Sequence, residues 1–297
     1  MPANPPVTVG MPVCNGETYL AQALDSLLAQ DYGDFELLIS DNASTDATQE
    51  ICQCYARRDA RIQYHRSDMN RGAAWNYNRL VAMAGGEFFR WAAHDDVLAP
   101  PNIRRCMEAF RLGSSGVILC YPRAVLIDAA GQPTGVHDDN LDLPMERPHE
   151  RLRHVLRNLK KLNPIFGLIR LEALKRTHLC GNYSGADSVL LAELGMLGQF
   201  VEIPERLFYR RFHPAMSSVI PTLEARSVWF DPANKGKLRN ALFASTLLVK
   251  MLHAVSAAPI GGAEKVACGS VVAQHWLAYR WKTMLGDVLR VAGLRRV

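Results

Sequence analysis

Three places in the chain pair carboxylates with company that could do chemistry. Phe88-Phe89-Arg90-Trp91-Ala92-Ala93 is an apolar, aromatic run that reads as a buried strand; it stops at His94-Asp95-Asp96, and Pro100-Pro101 cannot continue a sheet. Adjacent carboxylates at the end of such a strand repel each other and are costly to desolvate without a nearby cation. Hard oxygen donors suit Mg²⁺ or Mn²⁺, above all a metal shared with substrate phosphates. The same residues also suit a solvated turn, with Asp95 or Asp96 capping the helix that opens at Pro101-Asn102. The second place is Asp41-Asn42-Ala43-Ser44-Thr45-Asp46, rich in helix caps. The third is Asp187, ahead of Leu190, Leu191, Leu194 and Leu197, where a single Asp is ordinarily a cap.

The elements that must carry these residues alternate. Val7–Val13 reads as a strand, and Leu20, Ala23, Leu24, Leu27 and Leu28 follow at helical spacing. Phe35–Ser40 is a second strand, with Thr48, Ile51, Cys52 and Tyr55 marking its helix; Ile62–His65 is a third. After Asn70-Arg71-Gly72, the apolar row Ala74, Tyr77, Leu80, Val81 and Ala84 predicts another helix, stopped by Gly85-Gly86. Four strand–helix repeats in about a hundred residues imply right-handed crossovers and a parallel sheet. Ligands of such sheets bind beyond the carboxyl ends of the strands. Pro12-Val13-Cys14-Asn15, Asp41-Asn42, Asn70-Arg71-Gly72 and His94-Asp95-Asp96 all stand at those ends and should converge on one crevice.

Composition narrows the classes. The 297 residues are 48% hydrophobic and 21% charged, with a formal net charge of +5, which is ordinary globular composition. No basic block with interleaved aromatics occurs, which argues against nucleic acid. Seven scattered cysteines without a C-x-x-C pair read as reduced and buried, and the first residues lack a basic region and an apolar core; a cytoplasmic protein is expected. The longest apolar run, Ala241–Ile260, carries Lys250, His253 and Pro259 and reads as a core helix. No G-x-G-x-x-G follows the first strand and no P-loop is present.

Val9-Gly10-Met11-Pro12-Val13-Cys14-Asn15-Gly16-Glu17, then Glu36-Leu37-Leu38-Ile39-Ser40-Asp41-Asn42-Ala43-Ser44-Thr45-Asp46, then Asn70-Arg71-Gly72, resemble the family 2 glycosyltransferases. These are inverting enzymes of the GT-A fold that use nucleotide sugars, and the resemblance covers roughly residues 6 to 215. It implies an α/β fold, a Rossmann-like mixed sheet flanked by helices, with residues 1–220 as the catalytic domain and 221–297 as a helical C-terminal extension. Pro12, Asn15 and Glu17 would run against the nucleotide. Asp41 would read the base, usually uracil, since a carboxylate can accept its imide N–H. Asn70, Arg71 and Gly72 would close over base and ribose.

His94-Asp95-Asp96 stands at the place of the family's metal motif, so Asp95 and Asp96 would hold Mn²⁺ or Mg²⁺ and His94 would wall the pocket. Ala93 replaces the first acid of the motif's longer form. Asp187 matches the position of the catalytic base, although Ala186 precedes it where the family often has an acid. In Ile203–His213, Arg210 or Arg211 would meet the diphosphate, only one of them facing the site, and His213 would complete the metal site or contact the diphosphate. The segment His137–His149 is expected as a mobile loop on the acceptor side. The implied reaction transfers a sugar, from a uridine donor, to a hydroxyl of a carbohydrate or lipid-linked carbohydrate in bacterial surface polysaccharide or glycolipid synthesis. The alternative is a non-catalytic nucleotide-sugar-binding or scaffold protein, which Ala93 and Ala186 favour. Trp276, Tyr279, Trp281, Leu285, Val288 and Leu289 among Arg280, Lys282, Arg290, Arg295 and Arg296 suit peripheral contact with the inner face of a membrane, or packing on the catalytic domain or on a partner subunit, a second copy included.

Overall fold

A computed structural model describes residues 5–237 and 242–291. The repeating part matches the expected rhythm: β1 (Val7–Val13), α1 (Glu17–Leu28), β2 (Phe35–Asp41), α2 (Thr48–Arg58), β3 (Ile62–Arg66), α3 (Ala73–Met83) and β4 (Phe88–Trp91). All seven residues of β1 are buried, as a central parallel strand covered on both faces requires. β1 pairs in parallel with β2 and β4, and β2 with β3, so their carboxyl ends share one edge.

Polarity then changes. The remaining strands are β5 (Val97–Leu98), β6 (Val117–Ile127), β7 (Pro133–His137), β8 (Leu168–Arg170) and β9 (Gln199–Arg211). The sheet order is β3-β2-β1-β4-β8-β6-β9-β5, with β7 hairpinned onto β6. Because β8 runs antiparallel to both β4 and β6, the sheet is mixed. Val117–Tyr121 and Ala124–Ile127, which by sequence read as two separate strands, are one strand, β6. Pro122 lacks an N–H for the ladder, and the register against β9 shifts beside it, so a bulge absorbs the break.

The loop expected to be mobile is also tied down. Leu141 and Leu143 are fully buried, the Leu143 N–H donates to the Phe200 carbonyl at 3.0 Å, and the Leu141 N–H donates to the Tyr121 hydroxyl at 2.9 Å. Two leucines at alternate positions give the segment a reason to lie on the core.

Helices α4 (Asn102–Leu112), α5 (Pro148–Asn158), α6 (Leu171–Lys175) and α7 (Ala186–Leu197) complete the layers. α4 has no side-chain cap, so neither Asp95 nor Asp96 serves that purpose. Beyond β9 come α8 (Leu223–Phe230), α9 (Phe243–Ala257), α10 (Gly262–His275), a π turn (Trp276–Arg280) and α11 (Trp281–Val291). The apolar run is the core helix expected: Ala244, Leu247, Met251, Ala254 and Val255 of α9 join the same buried cluster as Leu190 and Leu194 of α7. Among the described residues no helix is long and apolar enough to cross a membrane. Arg295 and Arg296 of the expected basic tail lie outside the described residues, and so does the side chain of Arg290.

Candidate active site

The four polar strand ends meet in one cleft of about 810 Å³, lined by Pro12 at the end of β1, Cys14 and Asn15 after it, Asn42 after β2, Asn70 after β3 and His94, Asp95 and Asp96 after β4. Its floor is braced by hydrogen bonds between neighbouring strand ends. Asn15 takes a left-handed backbone (φ 52°), which asparagine tolerates. Its N–H donates to Ser44 Oγ at 2.9 Å and its Oδ1 accepts from the Thr45 N–H at 2.8 Å. Glu17 is exposed, lies off the cleft lining, and accepts from the Ala47 N–H at 2.8 Å. Asn42 ties the next turn: its Nδ2 donates to Asn70 Oδ1 at 2.9 Å and its Oδ1 accepts from the Arg71 N–H at 3.0 Å.

Asp41 lies beneath this floor, fully buried and off the lining. Oδ1 accepts from the Ser44 N–H (2.8 Å) and hydroxyl (2.6 Å); Oδ2 accepts from the Tyr64 hydroxyl (2.6 Å) and Arg66 Nη1 (2.5 Å). Burial alone would raise its pKa, but the donors from Ser44, Tyr64 and Arg66 outweigh it and hold the carboxyl below its ordinary value. Four donors fill the four acceptor positions of a carboxylate. A nucleobase can reach Asp41 only if one of them lets go. Arg71 is exposed and off the cleft lining, with its guanidinium 5.1 Å from the Trp75 ring centre. Gly72 (φ +84°) is pressed against the chain after β9: a Cβ there would stand 2.4 Å from the Phe230 carbonyl oxygen.

At the other end, His213 Nε2 is 2.9 Å from Asp95 Oδ2, and its ring leans on Tyr19 with centroids 4.8 Å apart. Asp96 is buried and its Oδ1 accepts from the Arg211 N–H at 2.8 Å. Burial first, and then the charge of Asp95, push Asp96 up to about 7. Burial also lowers the pKa of His94, which packs over Gly16. Arg210 and Arg211 both border the cleft, yet alternate as β9 demands. The Arg211 guanidinium is buried on the carbonyls of Asp95 (2.8 Å), Asp128 (3.1 Å) and Ala129 (3.2 Å) and on Gln22 Oε1 (2.5 Å), so it is a brace. Arg210 donates to Asn163 Oδ1 at 2.6 Å and to the Lys161 carbonyl, and its charge acts on both Asp96 and Asp187.

Among the described residues no three His, Cys, Asp or Glu side chains already form a metal cluster. The donors present are still of the right kind. Asp95 and His213 touch, and the buried carboxyl of Asp96, pushed toward protonation by burial and by the neighbouring Asp95, is what a cation would relieve. Two protein donors leave most of an octahedral shell to water and substrate oxygens.

Asp187 is half-buried at the start of α7 and outside the cleft lining. It does not cap the helix; Gly185 holds that position, and Asp187 Oδ1 accepts from its neighbour, the Ser188 N–H, at 2.9 Å. Burial raises its pKa, against the lowering effects of that bond and of Arg210. Tyr77 lines the cleft, and burial first, with lesser contributions that include the charges of Asp95, Asp96 and Asp187, raises its pKa. The sequence reading placed Tyr77 in an apolar row. The polar signal that marked the turn's face was Asn76, one residue earlier: it is buried and donates to the carbonyls of Ser40 (2.9 Å) and Val13 (3.3 Å). Also unforeseen is the roof, where Ala225, Val228 and Trp229 of α8 and Pro232 close the cleft.

The profile described as Glycosyl transferase family 2 matches residues 8–174. An uncharacterized glycosyltransferase of Rickettsia felis is 28% identical over 184 residues, 61% of this chain and 29% of that one. An Escherichia coli glycosyl transferase named for colanic acid biosynthesis, WcaA, is 34% identical over 103 residues, 35% of this chain and 37% of that one. The chain thus spans about a third of the length of these curated relatives. Among solved structures, Staphylococcus aureus TarS 1-349 in complex with UDP-GlcNAc superimposes with a TM-score of 0.67 at 18% identity, covering 93% of this chain and 74% of that one, which shows a shared fold. With the profile spanning more than half of the chain and the cleft at the strand ends it covers, the protein belongs to glycosyl transferase family 2.

Proposed function

We propose that the cleft binds a nucleoside-diphosphate sugar, a uridine one, and that the protein transfers the sugar with inversion to a hydroxyl of a carbohydrate acceptor, free or lipid-linked. The observation that carries this reading is the convergence of four strand ends and the Asp95–His213 pair on one cleft of nucleotide-sugar size. The UDP-GlcNAc complex of TarS supports the donor class, and the naming of WcaA supports a role in polysaccharide synthesis.

In this reading Pro12, Asn15, Asn42 and Asn70 bound the nucleotide side, and the turn Asn70-Arg71-Gly72, of which Asn70 lines the cleft, would close over base and ribose. Asp41 positions the base site by fixing Tyr64, Arg66 and Ser44, and contacts the base itself when one of these donors yields. Glu17 and Arg211 act as braces, and His94 walls the pocket. Asp95 and His213, with Asp96 behind them, would hold Mn²⁺ or Mg²⁺, which when bound neutralises charge on the departing diphosphate. Arg210 contributes a second positive charge between the two acidic ends.

Asp187 takes the acceptor proton. A raised pKa makes it a better base than an exposed aspartate. One base facing one leaving group is the arrangement an inverting transfer needs. The catalytic unit extends beyond residue 220, because α8 roofs the donor cleft.

The test is calorimetric titration of UDP with and without Mn²⁺ into wild type and Asp95→Ala. Binding that strengthens with Mn²⁺ in the wild type and loses that dependence in the variant is expected. Equal affinity in all four titrations would remove Asp95 from the metal site, and no binding at all would overturn the uridine donor.

A further inference from the structure

We propose that α11 and the π turn before it form an interfacial element that lies flat on an anionic lipid bilayer. α10, the π turn and α11 run without a break from Gly262 to Val291. The inward row of α10 is Cys268, Val271 and Val272, continued by Trp276, whose Nε1 donates to the Ala244 carbonyl at 3.2 Å. Unbroken α geometry would turn Tyr279 inward next. The π turn adds a residue to that turn, Tyr279 is 65% exposed instead, and the inward side resumes with half-buried Met284, which packs on the core cluster, and with buried Gly286 and Asp287. Asp287 is fully buried and its Oδ2 accepts from the N–H and hydroxyl of Ser245 on α9, at 2.8 and 2.9 Å.

The opposite face is apolar and wet. Leu277, Trp281, Leu285 and Val288 recur at i, i+4, i+8 and i+11, which makes one stripe, and each is between 50 and 75% exposed. A helix that packs on its own domain through Met284, Gly286 and Asp287 and still shows Trp281, Leu285 and Val288 to solvent is built for a second, apolar neighbour.

Charge selects that neighbour. Arg280 and Lys282 stand about 100° to either side of Trp281 and so border the stripe on both flanks. Asp287, the one acid between Trp276 and Val291, is turned inward. The outward described face is therefore an apolar stripe with basic borders and no carboxylate, with Trp281 and Tyr279 supplying amphipathic rings. That is the complement of acyl chains beneath anionic headgroups. With no described helix able to cross a bilayer, the element lies in the interface plane.

The attachment is rigid with respect to the acidic end of the site. α9, which holds α11 through Ser245 and the π turn through Ala244, also carries Leu247 and Phe243, which pack on Gly185, the residue that starts the helix bearing Asp187. A docked α11 would hold that helix start at a set height above the lipid surface.

The experiment is flotation of the full chain with vesicles of phosphatidylcholine alone or with about a third phosphatidylglycerol, comparing wild type, Trp281→Ser/Leu285→Ser and Lys282→Glu. Wild type should float with the anionic vesicles and not with the neutral ones. The apolar double variant should lose binding by on the order of tenfold or more, and Lys282→Glu by roughly fivefold or more, both with unchanged thermal unfolding. Quenching of Trp fluorescence by lipids brominated on the acyl chain should vanish in the double variant. Wild type that fails to float, or floats equally well as the double variant, overturns the proposal. A dimer in light scattering that the double variant abolishes, with no vesicle binding, overturns it in favour of a second copy on the stripe. None of these readouts involves sugar transfer, so the inference stands or falls separately from the donor reading.

Discussion

Replacing Asp41 by Asn separates a brace from a base-reading residue. The amide presents one acceptor and one donor where the carboxylate presents two acceptors. With the amide nitrogen at the Oδ1 position it confronts the Ser44 N–H, which cannot accept; at the Oδ2 position it confronts Arg66, which cannot accept either. One donor is stranded in both orientations. The cheaper loss is Arg66, whose side chain is 33% exposed and can turn to water. A hydrogen bond to a charged group is worth about 1.5–3 kcal/mol, and breaking a buried pair about 3–5; with partial exposure of Arg66, a cost of about 2–3 kcal/mol follows. In a chain of this size that lowers the unfolding temperature by about 3–5 °C.

The effect carries a pH signature. The fold holds the Asp41 carboxyl below its ordinary value, so the stability it contributes is complete above the unfolded pKa near 4 and is lost as pH falls through the lower native value. Urea unfolding should show the full gap between wild type and Asp41→Asn at neutral pH and a shrinking gap below about pH 4. UDP affinity should fall only as far as the cleft floor loosens. A variant as stable as wild type that has lost UDP binding would refute this reasoning and return Asp41 to direct contact with the base.

Two further substitutions probe the other ends of the cleft. Asp187→Asn should leave UDP affinity unchanged and lower turnover by about 10²–10⁴-fold, the range for losing a general base; wild-type rate should fall as pH drops through a value above the ordinary aspartate pKa, because burial raises this one. Transfer within tenfold of wild type in the variant would remove Asp187 from the chemistry, and binding with no turnover in either protein would favour a non-catalytic nucleotide-sugar binder. Gly72→Ala combines a left-handed backbone with a Cβ 2.4 Å from the Phe230 carbonyl. Costs of about 1–2 kcal/mol for the first and about 1–3 for the overpacking predict either a loss of about 2–5 kcal/mol in unfolding, or, if α8 lifts to relieve it, weaker UDP binding. No change in calorimetric stability or in affinity would show that α8 does not rest on this glycine.

What was legible in the sequence was what periodicity carries. The first four strands, their helices and the meeting of their polar ends follow from alternating and 3.6-residue patterns and from the rule that ligands sit past strand termini. What escaped depends on register. Asp41 and Arg66 are partners across β2 and β3, and nothing along either strand shows that the arginine saturates the aspartate. Pro122 looked like a break because only a neighbour's bulge lets a strand pass through proline. Tyr77 sat in an apolar row and was read as core, whereas its ring spans the core edge and the cleft. His213 next to Pro214 has the local look of a surface turn, and it is Asp95, over a hundred positions earlier, that draws it inward. The roof lies past Pro221, where the family resemblance ends, and its residues touch the cleft only because Gly72 gives them room.

That roof contact also bears on the order in which the molecule is assembled. The floor is made of neighbouring βαβ units that can form as soon as each emerges, whereas Gly72 and Phe230 are about 160 positions apart and close one of the longest loops in the fold. During synthesis the floor waits uncovered, its asparagines and acids in water, until β9 has crossed the sheet and α8 can settle. A nascent chain halted before Leu223 therefore has the walls of the cleft without its cover, and the donor binding proposed for it is a property expected only once α8 has settled.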